Sequence, residues 1–353
     1  MKITGNCIID NDISEIISEN LNWSYFAGKT ILVTGANGML PAYIVYTLIG
    51  LNESILKSNP CKILALVRNR EKSLLKFENF IKRDDFSLLV KDVSTFSACE
   101  EKIDIIIHAA SQASPKYYGV DPVGTLKANT LGTMNLLELA RKNCVKKFVF
   151  ISSGEVYGVL DSSKKNIDES YTGNVDITNV RSCYAESKRM GENMCVCYSH
   201  QYNIHVNMLR LCHTYGPGCA IDDGRVFGDF VQDVVNNRDI CLNSDGSAKR
   251  SFLYVTDMIR ALFYILLNAK TNEAFNIASE KETSILDLAN LLCSLFPEKG
   301  LKVKLSENKQ IRGYIKSAST NTPYNNEKLK SLGWNEKVAV REGFKRMILS
   351  YGG

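Results

Sequence analysis

Tyr184 and Lys188 stand four residues apart in the run Ser182-Cys183-Tyr184-Ala185-Glu186-Ser187-Lys188. On a helix that spacing is one turn, so the phenol and the ammonium project from the same face. A nearby cation favours the phenolate, and a phenolate can take the proton of an alcohol or sugar hydroxyl. Such a base needs a hydride acceptor beside it. The turn Thr34-Gly35-Ala36-Asn37-Gly38, followed by Met39, offers a seat for one. Its glycines let the backbone approach a pyrophosphate, whose charge a helix N-terminus favours. Pro41 stands where a third glycine is expected, a position in the first helical turn that tolerates proline. Y-x-x-x-K alone recurs by chance; in this order the two features imply nicotinamide-dependent chemistry.

These groups need elements to position them. Residues 1–29 read as an N-terminal extension, with an amphipathic helix from Asp12 to Leu21 (apolar at Ile13, Ile16, Ile17 and Leu21) packed down by Trp23, Tyr25 and Phe26. From Lys29 the pattern alternates strand and helix. β1 is expected over 30–34, β2 over 62–67, β3 over 87–90, β4 over 103–108, β5 over 147–152 and β6 over 205–211. Helices follow the glycine turn, span about 123–142, and carry the Tyr184–Lys188 pair. Short apolar runs separated by helices predict an α/β fold with a parallel, doubly wound sheet. After Gly216-Pro217-Gly218 the alternation fades. A helix is expected over 227–237, a strand and helix over 252–267, a strand over 275–278, a helix from its Ser284 cap through 296, and another from Asn326. The expected organisation is a dinucleotide-binding domain over 30–211, with a return segment near 252–267, and a smaller C-terminal α/β lobe over 212–353.

The strand ends then acquire roles. An acidic residue at the end of β2 would bond the adenosine ribose; this chain has Arg68, with Arg70 two residues on. That pair suits a 2′-phosphate and points towards NADP rather than NAD, the bland alternative being a solvated basic loop. Asp92 and Val93 after β3 are placed for the adenine ring, and Ala109 and Ala110 after β4 are small enough for the dinucleotide to cross the sheet edge. His108 reads as a packed residue. Ser152-Ser153-Gly154-Glu155 follows β5, at the edge where active sites of open α/β sheets lie. Ser153 can hydrogen-bond a reacting sugar oxygen, and Glu155 is a candidate base for a carbon acid.

Composition excludes several classes. The 353 residues carry a net charge of +5 with 23% charged side chains and no basic stripe with interleaved aromatics, which argues against nucleic acid. The longest apolar stretch, Met39 to Leu51, is too short for a bilayer, and no signal-peptide core follows Met1. Eleven cysteines set mostly in apolar runs read as free thiols of a reducing cytoplasm. Cys195-x-Cys197 with His200 lacks the paired spacing of a zinc module, so no metal is expected.

Together these motifs resemble the extended short-chain dehydrogenase/reductase family, the NAD-dependent epimerase/dehydratases of nucleotide sugars. The resemblance runs from about Lys29 to Phe344 and adds Asn129-x-x-Gly132-Thr133, Tyr215-Gly216-Pro217-Gly218 and Arg250-Ser251-Phe252-Leu253-Tyr254-Val255-Thr256-Asp257 to the motifs above. Decarboxylases of UDP-glucuronate are the most similar branch, through Ala113-Ser114-Pro115-Lys116-Tyr117-Tyr118, Arg181-Ser182-Cys183-Tyr184 and Asp223-Gly224-Arg225-Val226. The resemblance implies a Rossmann-type domain, a homodimer formed through helices flanking the active site, and a nucleotide-diphosphate sugar as substrate. It implies Tyr184 as base, Lys188 on the nicotinamide ribose and lowering the tyrosine pKa, Ser153 as third member, and Glu155 as the glutamate shared by decarboxylases and 4,6-dehydratases. Arg225 and Arg250 would face the diphosphate, with Ser111, Arg181 and His213 completing the substrate site. Oxidation at C4 would make the C5 substituent labile. Decarboxylation ranks first, 4-epimerisation or 4-keto reduction second, and 4,6-dehydration third; a non-catalytic dinucleotide-binding scaffold comes last. Three departures stand out. Gly154 replaces the aspartate of 4,6-dehydratases, His213 replaces a usual asparagine, and residues 1–29 have no counterpart in the short members.

Overall fold

The computed structural model describes residues 2–161, 163–222, 224–305 and 323–352. Its strands are β1 Thr30–Thr34, β2 Lys62–Val67, β3 Phe86–Val90, β4 Ile105–His108, β5 Lys147–Ser153, β6 Val206–Leu211, β7 His213–Tyr215, β8 Ile240–Leu242, β9 Lys249–Tyr254, β10 Glu273–Ile277, β11 Glu282–Ser284 and β12 Val303–Leu305. The helices are α1 Cys7–Ile17, α2 Met39–Glu53, α3 Arg70–Lys76, α4 Pro115–Val120, α5 Pro122–Asn129, α6 Leu131–Asn143, α7 Ser182–Tyr202, α8 Val226–Val235, α9 Val255–Asn268, α10 Ile285–Leu295, α11 Glu327–Lys330 and α12 Val340–Leu349.

Strands covered on both faces must be apolar at consecutive positions, and β1, β2 and β4 are. Their side chains divide by pleat. Ile31, Val33, Ile63, Ala65, Ile105 and Ile107 enter one core, while Leu32, Leu64, Leu66 and Ile106 enter the other. The result is a seven-stranded sheet in the order β10-β6-β5-β4-β1-β2-β3, with every pairing parallel. The chain runs from β1 outward to β3 and then returns to lay β4 on the other side of β1. That reversal opens a crevice beyond the carboxyl ends of β1 and β4, where such sheets bind ligands. The C-terminal half adds a three-stranded sheet, β11-β9-β7, and the pair β12-β8, and it returns β10 to the edge of the main sheet.

Two elements depart from the sequence reading. The first helix covers Cys7–Ile17 rather than Asp12–Leu21, because Asn6 caps it by accepting from Ile8 N and Ile9 N at 3.0 and 3.3 Å. The single helix expected over 123–142 is two, α5 and α6, meeting at Thr130 (ψ −67°). Thr130 Oγ1 and Thr133 Oγ1 there bond the carbonyls of Leu126 and Asn129 at 2.8 and 2.6 Å, a back-bonding that bends helices. Three-residue strands such as β7, β8, β11 and β12 are too short to show a period of two and escape the sequence reading.

The N-terminal segment is built into the body. Gly50 in α2 makes the contact possible, since a Cβ there would lie 2.6 Å from Ile17 Cδ1 and 2.9 Å from Ile3 Cδ1. Trp23 meets Phe263 edge-on at 5.1 Å. Asp12, fully buried, receives Tyr43 Oη at 2.8 Å, Tyr254 Oη at 2.7 Å and Arg346 Nη1 at 3.0 Å.

Candidate active site

The crevice begins at Thr34, the last residue of β1. Its buried hydroxyl accepts from Ala109 N and Ala110 N at 3.1 and 3.0 Å and meets His108 Nδ1 at 2.9 Å. His108 Nε2 lies 3.1 Å from Thr133 Oγ1, and burial, with the Lys188 charge, lowers the imidazole pKa to about 3. The ring is therefore a neutral strut between two strand ends and α6. Gly35 follows with φ +70°, and a Cβ on it would sit 2.7 Å from Ala110 Cα. Only glycine permits that approach. Gly38 caps α2 with its backbone, Met39 opens the helix, and the Pro41 ring packs against Gly38.

Asn37 Nδ2 donates to Ser73 Oγ at 2.6 Å and to Asn69 O at 3.3 Å, while its buried Oδ1 has no partner among the described residues. Lys76, which no sequence pattern marks, donates to Asn37 O at 2.9 Å, and burial brings its pKa down to about 8. Arg68 is exposed at the end of β2, 3.8 Å from Asp92. Burial pushes the Asp92 carboxyl up, but the Ser94 hydroxyl and amide, followed by Arg68 and Lys127, hold it below its ordinary range. Val93 is buried against Gly132, where a Cβ would lie 2.8 Å from Val93 Cγ1.

Facing this cradle is the first turn of α7. Tyr184 is 6% exposed. Its ring stacks on Tyr118 of α4 at 4.8 Å and 19°, and the Ser153 side chain is near enough to its hydroxyl to draw the phenol pKa down. Burial and then the Glu155 charge push the phenol pKa up; the Ser153 side chain and the guanidinium groups of Arg225 and Arg181 act against them. Lys188 Nζ donates to Ile151 O at 2.7 Å and lies 5.8 Å from the Tyr184 ring centre. Burial lowers its pKa to about 7, against the opposing pull of Glu192 and Cys195. The ammonium is thus sealed between α7 and β5.

Ser153 also caps the single turn Gly154–Tyr157, accepting from Glu155 N at 3.2 Å. Glu155 is gripped by both forks of Arg181, each at 2.8 Å, and Arg181 in turn lies 5.5 Å from the Tyr118 ring centre. Behind this layer Ser152 donates to Glu192 at 2.6 Å, and Glu192 pairs with Arg210 at 2.7 Å, fixing α7 to β5 and β6. Asn129 Nδ2 donates to Ser187 Oγ at 2.9 Å and ties α5 to α7.

The C-terminal lobe contributes Arg225 at the start of α8, with Nη2 2.9 Å from Cys219 Sγ. Arg250 on β9 and the exposed His213 on β7 lie nearby; both arginines act electrostatically on the histidine, whose ring meets Phe252 at 5.9 Å. Ser111 Oγ is buried, with no partner among the described residues. Asp223 lies outside the described residues. The structure therefore gathers Ser153, Glu155, Arg181, Tyr184 and Lys188 into one constellation, with Arg225 within electrostatic reach. Tyr118, whose ring closes over Tyr184, lies in the Ala113–Tyr118 stretch that resembles the decarboxylases, but the sequence alone gives it no role. Among the described residues no three His, Cys, Asp or Glu side chains converge on a metal site, and no helix is long and apolar enough to cross a membrane.

A parallel sheet in this order, with a glycine cradle facing a buried Tyr–Lys pair, defines a dinucleotide-dependent class of enzyme. The profile of the NAD dependent epimerase/dehydratase family matches residues 31–278, and the chain belongs to that family. It is 31% identical over 322 residues to UDP-glucuronic acid decarboxylase 6 of Arabidopsis thaliana, covering 90% of this chain and 87% of that one. It is 32% identical to UDP-glucuronic acid decarboxylase 1 of Xenopus tropicalis over 77% of this chain and 62% of the relative. Among solved structures, the UDP-glucuronic acid 4-epimerase of Bacillus cereus superimposes with a TM-score of 0.74 at 22% identity, covering 92% of this chain and 99% of that one. The UDP-glucose 4-epimerase of Thermotoga maritima gives 0.75 at 22% identity, covering 92% and 98%. At those identities the likeness establishes the fold.

Proposed function

We propose that the protein decarboxylates UDP-glucuronate through a 4-keto sugar. The observation that carries this reading is the placing of the Tyr184 phenol against Ser153, with Glu155 held beside them by Arg181. The decarboxylases among its relatives support the choice of substrate.

The cradle fits a nicotinamide dinucleotide. Gly35 turns the chain tightly against Ala110, where a Cβ has no room, and Asn37 Oδ1 and Ser111 Oγ are buried polar atoms without protein partners among the described residues. Gly35, Asn37, Gly38 and Met39 would hold the pyrophosphate, Asp92 and Val93 the adenine, Ala109 and Ala110 the crossing, and Lys188 the nicotinamide ribose. When bound, the nicotinamide supplies the hydride acceptor and donor. Tyr184 takes the proton of the sugar 4-hydroxyl and later returns it, with Ser153 holding the same oxygen. Lys188 in its protonated form, 5.8 Å from the Tyr184 ring centre, favours the phenolate at that moment. Arg181 keeps Glu155 beside C5, where carbon dioxide would leave the β-keto acid. The electron pair of the broken bond would pass to the 4-keto oxygen as an enolate, and C5 would then take a proton from water before the ketone is reduced. Arg225, Arg250 and His213 grip the nucleotide diphosphate.

We assign cofactor binding to 30–211 and sugar-nucleotide binding to 212–353, with 1–29 as a brace. The basic Arg68 favours NADP over NAD. Val123 and Leu126 on α5, Met134 on α6 and Met190 on α7 are exposed apolar side chains on the helices beside the site, where we place the contact with a second copy; a monomer mass in sedimentation at micromolar concentration would sink that homodimer. The cysteines, set mostly in apolar runs, suit a reducing compartment, the cytoplasm.

The decisive experiment incubates the purified protein and cofactor with UDP-glucuronate, UDP-glucose and UDP-galactose and reads product mass. Loss of carbon dioxide from the uronate alone is expected. Loss of water, or isomerisation without mass change, would replace this reading with dehydration or 4-epimerisation.

A further inference from the structure

Gly154 lacks the side chain that would point from the end of β5 towards the sugar, and a distant part of the chain fills the space. A Cβ on Gly154 would lie 2.7 Å from Tyr324 Oη, 3.1 Å from Tyr324 Cζ and 3.3 Å from Cys212 Sγ. Tyr324 sits between β12 and α11, yet it is placed firmly. Ile167 and Tyr324 form a parallel bridge, with Ile167 N donating to Pro323 O at 2.9 Å and Asn325 N to Ile167 O at 2.8 Å. Asn276 of β10 clasps this bridge, its Nδ2 reaching Ile167 O at 3.0 Å and Asn325 O at 3.1 Å. Its Oδ1 accepts from Tyr157 Oη at 2.5 Å, and the Tyr157 and Tyr324 ring centres are 5.8 Å apart. The main sheet therefore holds the phenol in position through its edge strand.

We propose that Tyr324 is a specificity-determining residue whose hydroxyl stands in for a side chain at position 154, beside Glu155, and selects sugars bearing a carboxylate at C5. The proposal rests on the reading of the crevice as a nucleotide-sugar site. Tyr324 is kept protonated by burial, by the neighbouring Cys212 and by the Glu155 charge. A neutral phenol donates a hydrogen bond to a carboxylate oxygen, yet it is too weak an acid to expel a hydroxyl group. Its position also denies room to a carboxyl group at 154. One substitution of place thus favours a hexuronate and disfavours dehydration.

The test is calorimetric binding of UDP-glucuronate and UDP-glucose to cofactor-loaded protein in a Tyr184→Phe background, which stops turnover. Tyr324→Phe, which keeps the ring and its packing, should weaken UDP-glucuronate at least fivefold and UDP-glucose less than twofold. Gly154→Ala, whose methyl displaces the phenol, should erode the same preference with Tyr324 intact. An unchanged preference in Tyr324→Phe, or equal weakening for both sugars, overturns the proposal. Protein without these substitutions that binds the uronate but releases no carbon dioxide refutes the reaction while leaving the binding ratio readable. A background that binds neither sugar overturns both.

Discussion

Replacing Lys188 with methionine should stabilise the fold while destroying turnover. Lys188 is 2% exposed, and burial takes its ammonium from an ordinary 10.5 down to about 7. Between those values the unfolded chain binds a proton that the native one does not, so stability attributable to this group rises with pH. Below pH 7 both states are protonated, and the native state bears the full cost of enclosing a charge. A displacement of about 3.5 pH units at ~1.36 kcal/mol each gives about 5 kcal/mol. Methionine has similar length and no charge, but it abandons the hydrogen bond to Ile151 O, at a cost of about 1–3 kcal/mol. The variant should therefore gain about 2–4 kcal/mol at pH 6. That advantage should shrink steadily as pH approaches 10. Urea unfolding of both proteins at pH 6, 8 and 10, with turnover assayed alongside, measures it. A Lys188→Met protein less stable than its parent at pH 6, or offset by a constant amount across the range, would refute the claim that this ammonium is buried against its preference.

Tyr184→Phe should cost at least ~100-fold in turnover, the scale of a lost general base, with cofactor affinity changed less than about twofold by fluorescence titration; undiminished turnover removes Tyr184 from the mechanism. Arg68→Ala should weaken NADP roughly tenfold and leave NAD unchanged, as expected for loss of a charge-assisted contact to a 2′-phosphate; equal effects on both would assign Arg68 to the surface. Burial raises the Asp12 carboxyl from 3.8 to about 6, in spite of hydrogen bonds from Tyr254, Tyr43 and Arg346. Its contribution is therefore present below pH 4 and lost as pH rises through 6. Asp12→Asn should flatten the stability profile over that window, and a profile identical to the parent's would show that Asp12 does not titrate there.

What the sequence discloses follows from physical necessity. Strands such as Ile105–His108, covered on both faces, have to be apolar along their length up to the hydrogen-bonded His108 at the end, and Gly35 has to be glycine because Ala110 lies against it. Tyr184 and Lys188 announce themselves because a helix brings them together. Groups that meet only in three dimensions stay hidden. Tyr118 reaches Tyr184 from a six-residue helix, Lys76 reaches Asn37 as the last residue of α3, and Tyr324 reaches Gly154 from the far end of the chain. Asp12 hides differently. An acid on an amphipathic helix ordinarily faces water, and the hydroxyls of Tyr43 and Tyr254 together with the Arg346 guanidinium make its burial tolerable.

That arrangement at the amino end has a practical bearing on how the protein can be handled. Trimming the chain to begin near Lys29, so as to match its shorter cousins, would not yield a minimal catalytic unit. It would strip the cover from the shallow trough at Gly50, leave two tyrosine hydroxyls and Arg346 around a vacated slot, and open an oily surface across α2 and α9. Such a product should collect in inclusion bodies, and affinity tags belong where the polypeptide can carry them without disturbing this seam.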